Sequence, residues 1–243
     1  MADYDFITTC NWTSTGTYTL RAFRGAVTNV VTTHYASIFY RKVGAGSWTA
    51  LNSSGQMVVD STGEWEIGND WNKSGNDVLT HSYYGITDID SCTAVTFDTV
   101  ALGTTVGNFF LYSVWDGCTS LSSMPSGFNL PTGITTVGTF FLLFAWDGCT
   151  SLSSMPSGFD IPTGLTTVGS NFLLYTWNNC TALKNDGDYT EPISFNFSAT
   201  DVFGGTCPIE PDSVTYVDTT IEVEVNRLKA EATGNAIMFA CNF

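Results

Sequence analysis

Residues 104–134 read TTVGNFFLYSVWDGCTSLSSMPSGFNLPTGI, and residues 135–165 read TTVGTFFLLFAWDGCTSLSSMPSGFDIPTGL. These two 31-residue blocks are identical at 24 positions. A third copy begins at Thr166 as TTVGSNFLLYTWNNCTAL and then diverges. A unit of this length cannot bury a core alone and must pack against its neighbours. The repeat therefore predicts a solenoid of successive units in a mainly β protein.

Five cysteines set the register of the predicted units, and they follow one another at similar intervals along the chain. The segments around the first and last of them are shorter and less regular, which is typical of the capping units of a repeat array. We therefore expect about five units of 26–31 residues over residues 78–213. The five residues are Cys92, Cys118, Cys149, Cys180 and Cys207.

Within a unit, two segments have a recognisable pattern. Residues 119–124 alternate briefly before Pro125, which predicts a short strand. Residues 109–115 form an aromatic block that fits either a turn of helix or a second strand, since periodicity cannot separate the two over so few residues. Phe128 and Phe159 recur one unit apart and are predicted to close the core.

The segments outside the repeat are also expected to be β. Residues 1–77 are predicted to form an all-β domain or cap. Residues 214–243 are predicted to form a β cap or an oligomerisation or anchoring segment. The apolar stretch 237–243 fits either a closing strand over the end of the solenoid or a segment that docks on another subunit. The predicted N-terminal strands are 17–23, 36–43, 56–60 and 64–68.

The unit W-D-G-C-T-S-L-x-x-M-P-x-x-F, preceded by an aromatic residue, resembles the BspA-like leucine-rich repeats of bacterial, protist and phage surface proteins. In that family an aromatic residue stands three positions before the cysteine, and here Trp115, Trp146 and Trp177 take that place. The resemblance covers about residues 78–213. It implies a leucine-rich-repeat solenoid, and a role in attachment or surface display rather than catalysis.

The charge of the chain restricts its partners. Eight Lys plus Arg against 23 Asp plus Glu leave a formal charge of −15, which disfavours nucleic acid and anionic membranes as partners. Thr and Ser together number 58, and no Lys or Arg lies between Ser74 and Leu183. With 43% hydrophobic residues the chain is not expected to be disordered.

The N-terminus does not have the basic start and apolar run of a secretory signal. The longest apolar run, residues 140–146, is too short for a membrane span. Yet the hydroxyl-rich, Lys-poor composition is typical of an exposed surface. A virion surface protein satisfies both observations because it is assembled inside the host, and an extracellular location is the alternative.

Catalytic groups are sparse. The two histidines, His34 and His81, lie in weakly patterned segments where packing or surface roles are expected. Glu64 and Glu66 flank Trp65 and could form the carboxylate pair of a carbohydrate-active enzyme, although on a strand they would be ordinary solvated charges. We expect no enzyme activity, and no cofactor.

Metal sites and disulfides are also weakly indicated. No C-x-x-C is present, and a zinc site is not expected. Asp186, Asp188 and Glu191 surround a Gly turn and are weak calcium candidates, with solvated acidic turns as the alternative. The repeat cysteines are expected to form a buried column of thiols, although disulfides between neighbouring units, or between Cys10 and Cys241, remain alternatives.

Rows of polar side chains are the candidate binding surface. Equivalent positions should recur once per unit beside the tryptophans, which suits a glycan or protein partner. Alternatively, the tryptophans fill the core and the rows are only solvated. The expected function is that of a surface or virion structural protein, homo-oligomeric or bound to other virion proteins, with an adhesin or glycan-binding module as alternative. The rows are Asp116, Asp147 and Asn178, and Thr119, Thr150 and Thr181.

Overall fold

The computed structural model describes residues 4–24, 32–71, 78–154, 162, 164–169, 172–173, 175–183, 193–195 and 214–216. In these residues the protein is mainly β, with a 3-10 helix at Thr32–Ser37 and one α-helical turn, α1, at Thr99–Leu102. The strands are β1 Phe6–Trp12, β2 Gly16–Thr19, β3 Arg21–Arg24, β4 Ile38–Lys42, β5 Thr49–Ala50, β6 Gln56–Val59, β7 Gly63–Asn69, β8 Leu79–Ser82, β9 Ile89–Phe97, β10 Thr105–Val106, β11 Thr136–Val137, β12 Thr167–Val168, β13 Ile193–Phe195 and β14 Val214–Tyr216.

The N-terminal strands build a five-stranded sheet in the order β5-β4-β7-β1-β9. Its central strands include β1, which pairs antiparallel with both β7 and β9. The predicted strands at 36–43, 56–60 and 64–68 are present with shifted ends, whereas 17–23 divides into β2 and β3 around the buried Leu20. Strand β1 was not predicted because its sequence FITTCNW is buried at most positions and does not alternate.

Residues 78–97 connect the N-terminal sheets to the repeat. Strand β8 pairs antiparallel with β3, and β9 pairs antiparallel with β1. The predicted boundary at residue 77 therefore does not separate two sets of strands. The N-terminal region and the beginning of the repeat region share sheets and, as described below, one core.

The three central copies lie side by side, and we call their described residues within 104–183 the repeat stack. Strands β10, β11 and β12 pair in parallel and in register, with Thr105 opposite Thr136 and Thr136 opposite Thr167. The strand predicted at 119–124 is wrong: the segment begins as a turn and is otherwise irregular, and its β structure is one bridge from Ser123 to Ser91.

The aromatic block is neither a helical turn nor a strand. Positive φ values alternate along it, at Phe109 (62°), Leu111 (52°) and Ser113 (56°). The block hydrogen-bonds to the next unit, for example from the Phe109 N–H to the carbonyl of Thr139 (3.0 Å). Such φ values are costly for bulky residues, so packing and hydrogen bonds between units must hold them.

One continuous hydrophobic core runs through both regions. In the repeat stack, Trp115 and Trp146 stack with ring centroids 5.2 Å apart and planes at 9°, and Trp177 continues the column at 5.8 Å from Trp146. Toward the N-terminal sheet, Phe110 contacts Trp71, which stacks on Phe6. Stacked aromatic rings thus join the repeat stack to the sheet centre.

Predictions on the C-terminal part fall largely outside the described residues. Strand β14 lies within residues 214–243, where a β cap was one of the two expectations, and it pairs in parallel with β13. The described residues do not include the apolar stretch 237–243, Phe159, Cys207, Cys241 or the calcium candidates Asp186, Asp188 and Glu191.

Candidate functional site

The acidic row consists of Asp116, Asp147 and Asn178, which occupy one position in three successive units. Each follows a buried tryptophan and precedes a residue with a left-handed backbone. That residue is Gly117 (φ 72°) in the first of these units and Asn179 (φ 58°) in the last, and both residue types tolerate this conformation. The turn directs the side chains of the row to a partly exposed surface.

Hydrogen bonds hold the acidic row. Asn178 donates from Nδ2 to Oδ1 of Asp147 (2.8 Å), and the Ser113 hydroxyl donates to Oδ2 of Asp116 (2.6 Å). Burial raises the pKa of Asp116 to about 6, against the opposing effect of the Ser113 hydrogen bond, and the charge of Asp147 adds to the rise. Burial also raises the pKa of Asp147, although hydrogen bonds from Asn178 and Asn179 lower it.

At the start of the acidic row, an aromatic residue takes the place of the aspartate and a basic residue lies against it. Hydrogen bonds between units locate this position. The Gly117 N–H donates to the Asp147 carbonyl (2.7 Å), and the Gly85 N–H donates at the same distance to the Asp116 carbonyl. Gly85 therefore stands at the position of Gly117, and Tyr84 at that of Asp116.

Tyr84 is 42% exposed, and the Arg21 guanidinium carbon lies 3.3 Å from its ring centroid. This contact is a cation–π interaction that covers one face of the tyrosine ring. The charge of Arg21 opposes the rise that burial causes in the pKa of the neighbouring Asp116. Sequence analysis did not identify Arg21 or Tyr84, because the register taken from Cys92 does not align Tyr84 with Asp116 and because Arg21 reaches Tyr84 from β3.

The tryptophans are core residues. Trp115 and Trp146 are fully buried, and Trp177 is 3% exposed. Their faces stack on one another along the column, which leaves no ring face for a sugar. The alternative in which they form an exposed aromatic platform therefore does not agree with the structure.

The threonine row has a structural use. Thr119, Thr150 and Thr181 are exposed, and the Thr150 hydroxyl donates to the carbonyl of Thr119 (3.3 Å), 31 residues earlier. Thr135 does the same to Thr104, at 3.3 Å. These hydroxyls saturate carbonyl groups of the preceding unit, which accounts for part of the hydroxyl-rich composition. Their oxygen lone pairs remain on the surface as acceptors.

The repeat cysteines form a buried column of free thiols. Cys118, Cys149 and Cys180 are each at most 1% exposed. The Cys149 thiol donates to the Trp115 carbonyl (3.0 Å), and the Cys180 thiol donates to the Trp146 carbonyl (2.9 Å). For Cys118, Cys149 and Cys180, the structure agrees with the predicted column of thiols and not with the alternative of disulfides between neighbouring units.

Cys92 does not belong to this column. The Cys118 N–H donates to the Trp115 carbonyl (3.0 Å), and in the preceding unit Ile86 donates to Tyr83 (2.9 Å) in the same way. Ile86 thus takes the position of Cys118, and the predicted register at Cys92 is displaced. Ile86 and Cys118 are 32 positions apart, whereas Cys92 and Cys118 are only 26 apart, so a count between cysteines does not locate the equivalent residue.

One buried network has the geometry of a nucleophile, a base and an orienting amide. Thr8 Oγ1 lies 2.7 Å from Nε2 of His81, and His81 Nδ1 lies 2.6 Å from Oδ1 of Asn69. Asn69 donates from Nδ2 to the Leu79 carbonyl, so its Oδ1 accepts from Nδ1–H, and Nε2 then accepts from Thr8. All three residues are fully buried, and burial lowers the pKa of His81 to about 3. A substrate cannot reach this network, which acts as a polar element of the core.

The other enzymatic candidates also have structural surroundings. Glu64 and Glu66 lie on β7 and are exposed and partly exposed. Glu66 Oε2 pairs with Nε of Arg41 at 2.5 Å, which commits that carboxylate to an ion pair. His34 is a partly exposed residue of the 3-10 helix, and burial together with Arg24 lowers its pKa. Across the described residues, no group of three or more His, Cys, Asp or Glu side chains is arranged to hold a metal ion.

Within the described part of the chain, no helix is long and apolar enough to cross a bilayer. Comparisons of the chain with protein-family models, with curated proteins and with solved structures found no match. The likeness to BspA-like repeats therefore stays a resemblance in the residues of the repeat.

Proposed function

We propose that this protein is a non-enzymatic surface protein of a virus particle, of the tail-fibre, receptor-binding or capsid-decorating type. In this proposal residues 78–213 form a leucine-rich-repeat solenoid of about five units that is presented for attachment or decoration. The observation that supports it is the regular outer surface of the repeat stack, where the same polar side chains recur every 31 residues. Repeat proteins typically use such extended regular surfaces for binding.

The positions of the reactive groups support a non-enzymatic role. Thr8, His81 and Asn69 are fully buried, and the Glu66 carboxylate is paired with Arg41. The charge of −15 and the lack of basic residues between Ser74 and Leu183 favour protein or neutral partners over nucleic acid. The proposed partners are further copies of this chain or other proteins of the particle.

Sedimentation tests this proposal directly. The full-length protein is expected to sediment as a symmetric oligomer, or to co-sediment with particles assembled in its presence. A Trp146→Ala variant, which removes a buried member of the aromatic column, should lose both properties together with its fold. A well-folded wild-type protein that stays strictly monomeric and does not associate with particles would contradict the proposal.

A glycan-binding module or cellular adhesin is the second candidate, and the acidic row favours it. Asp116 and Asp147 are partly exposed, lie one unit apart, and have Arg21 and Tyr84 at one end. Carboxylates with a neighbouring arginine can hydrogen-bond sugar hydroxyls, although the covered ring faces leave little room for stacking.

A glycan array separates this candidate from the first. Specific retention that is lost in the Asp116→Ala, Asp147→Ala double variant and kept in Asp60→Ala would support a glycan site at the acidic row. Asp60 is an exposed control residue in the N-terminal region. A carbohydrate-active enzyme would instead turn over a sugar and lose activity in Glu64→Gln or Glu66→Gln.

A further inference from the structure

Two cysteines lie opposite each other on neighbouring strands of the N-terminal sheet, one on the edge strand and one on the next strand inward. Cys10 on β1 is directly opposite Cys92 on the edge strand β9. Both thiols are free in the structure, and their side chains are 0% and 1% exposed. Residues directly opposite in an antiparallel pair point to the same face, so the two thiols share one pocket of the core.

The hydrogen bonds around this pair bring the side chains close. The Cys92 N–H donates to the carbonyl of Ser123 (3.0 Å), on the side away from β1. Cys92 therefore does not exchange the paired hydrogen bonds of a wide antiparallel pair with Cys10. In a regular ladder, narrow pairs of this kind have Cα atoms about 4.5 Å apart and the closest side chains in a sheet. Here the register between β1 and β9 shifts between Thr9 and Cys10, and Cys10 is the first residue of the new register. A disulfide requires Cα atoms about 4.4–6.8 Å apart, so this pairing is compatible with one.

The cysteines of the repeat stack provide an internal contrast. Cys118, Cys149 and Cys180 occupy equivalent positions in successive units, where neighbouring side chains run parallel at about 4.8 Å, the spacing of paired strands. That spacing is slightly wider than the Cα separation of about 4.5 Å in a narrow antiparallel pair. The Cys149 and Cys180 thiols also donate to carbonyl groups of the preceding unit. The Cys92 thiol also donates to a carbonyl group, that of Ala94, but at 3.5 Å instead of 2.9–3.0 Å. The thiols of the column are therefore held more tightly as donors than the Cys92 thiol of the cross-strand pair.

We propose that Cys10 and Cys92 are a disulfide modification site, which closes when the chain folds in the presence of a low-molecular-weight disulfide such as oxidised glutathione. The two thiols lose two protons and two electrons to form the S–S bond, and one oxidised glutathione is reduced to two glutathione thiols. The bond joins residues 82 positions apart and ties the edge strand β9 to β1. This inference does not depend on the proposed function.

The burial of the pair determines when the bond can form. Burial, together with the adjoining Cys10 thiol, raises the pKa of Cys92 well above its ordinary value. Because the thiolate is the attacking species, exchange in the folded protein should be slow. Oxidation is therefore expected during folding, or when β9 opens locally at the edge of the sheet.

Refolding in a glutathione buffer tests the proposal. A full-length Cys207→Ser, Cys241→Ser protein is denatured, reduced and refolded with either reduced glutathione or a mixture rich in oxidised glutathione. Free thiols are then alkylated, and the digest is mapped by mass spectrometry. The oxidised sample should contain a peptide that joins Cys10 to Cys92, with Cys118, Cys149 and Cys180 alkylated. Its melting temperature should rise by about 10 °C over the reduced sample.

Matched variants make the result specific. Cys92→Ala should abolish both the cross-linked peptide and the thermal shift, and Cys149→Ala should keep both. If refolding is inefficient, oxidised glutathione is added to the native protein in urea below the unfolding midpoint, and the same peptide is expected. Alkylated Cys10 and Cys92 after either treatment would overturn the proposal. A predominant bond within the repeat column, or a lower melting temperature on oxidation, would also overturn it.

Discussion

Gly138 packs so closely against Asn108 of the preceding unit that a Cβ on Gly138 would lie 2.6 Å from the Asn108 backbone nitrogen. The Gly138 N–H also donates to the carbonyl of Val106 (3.0 Å). A methyl group therefore meets backbone that the hydrogen bonds between units hold in place. Gly169 has the same relation to the unit before it, which explains the glycine that ends TTVG in the second and third copies.

Gly138→Ala is expected to destabilise the protein by about 2–3 kcal/mol, the cost of overpacking against backbone that cannot move away. The control is Gly133→Ala, because nothing lies within 4 Å of a Cβ there and the φ angle is not left-handed. The control should change the free energy of unfolding by less than about 0.5 kcal/mol. Urea unfolding of both variants measures the difference, and equal stability would show that the units are not packed so tightly.

Asp116→Asn is expected to stabilise the protein at neutral pH. The pKa of Asp116 is raised from 3.8 to about 6, so the folded state holds the proton more tightly than the unfolded state. The resulting stability is present below pH 4 and is lost as the pH rises through 6. Asparagine removes this loss, and after allowance for solvent screening we expect a gain of about 1 kcal/mol at pH 7.5.

A measurement at pH 4 provides an internal control for the Asp116→Asn variant. At pH 4 the wild-type carboxyl is protonated in the folded state, so the two proteins should be nearly equally stable. Asn178 already occupies the equivalent position in the third unit, which indicates that the fold accepts an amide there. Thermal melts at pH 7.5 and pH 4 give the comparison, and a stability difference that is independent of pH would contradict the argument.

His81 is expected to make the protein sensitive to acid. Its pKa is lowered from 6.5 to about 3 by burial, so the unfolded state binds a proton that the folded state does not. Stability is complete above pH 6.5 and falls with decreasing pH, by about 1.4 kcal/mol per pH unit between pH 6 and pH 4.

The His81→Gln variant isolates this contribution. It should be less stable at pH 8, because a hydrogen bond of the Thr8–His81–Asn69 network is lost. Between pH 6 and pH 4, the His81→Gln variant should therefore lack the loss of stability of about 1.4 kcal/mol per pH unit that is expected for the wild type. Urea unfolding across this pH range provides the slopes. Parallel pH profiles for the two proteins would mean that His81 is accessible to protons in the fold.

Removing one whole copy should leave a folded protein. Deletion of residues 135–165 joins the first copy directly to Thr166, and the period of the repeat keeps Trp115 in register with Trp177. We expect a cooperative unfolding transition with a melting temperature lowered by several degrees, since one interface between units is lost. Deletion of residues 137–165 is shorter than one period and breaks the register. It should abolish the cooperative transition in thermal circular dichroism, and a transition like that of the whole-copy deletion would argue against in-register packing.

The regular period of the repeat is enough to predict which residues of the central units lie next to each other, although it left open whether the tryptophans are buried. Identical units place like residues next to each other, so the column of Trp115 and Trp146, the buried thiols and the row of Asp116 and Asp147 follow from local identity. The same repetition did not indicate the turn structure of residues 109–115, because alternating φ values leave no periodic trace in the side chains.

Contacts between distant, non-repeating segments could not be read from the chain. Strand β1 pairs with β9 although the two strands lie far apart in the sequence, and this pairing puts Cys10 opposite Cys92. The same long-range packing brings Thr8 to His81 and Arg21 to Tyr84. These pairs do not recur along the chain with the period of the repeat. Their association depends on the free energy of burying one shared core, which no local pattern encodes.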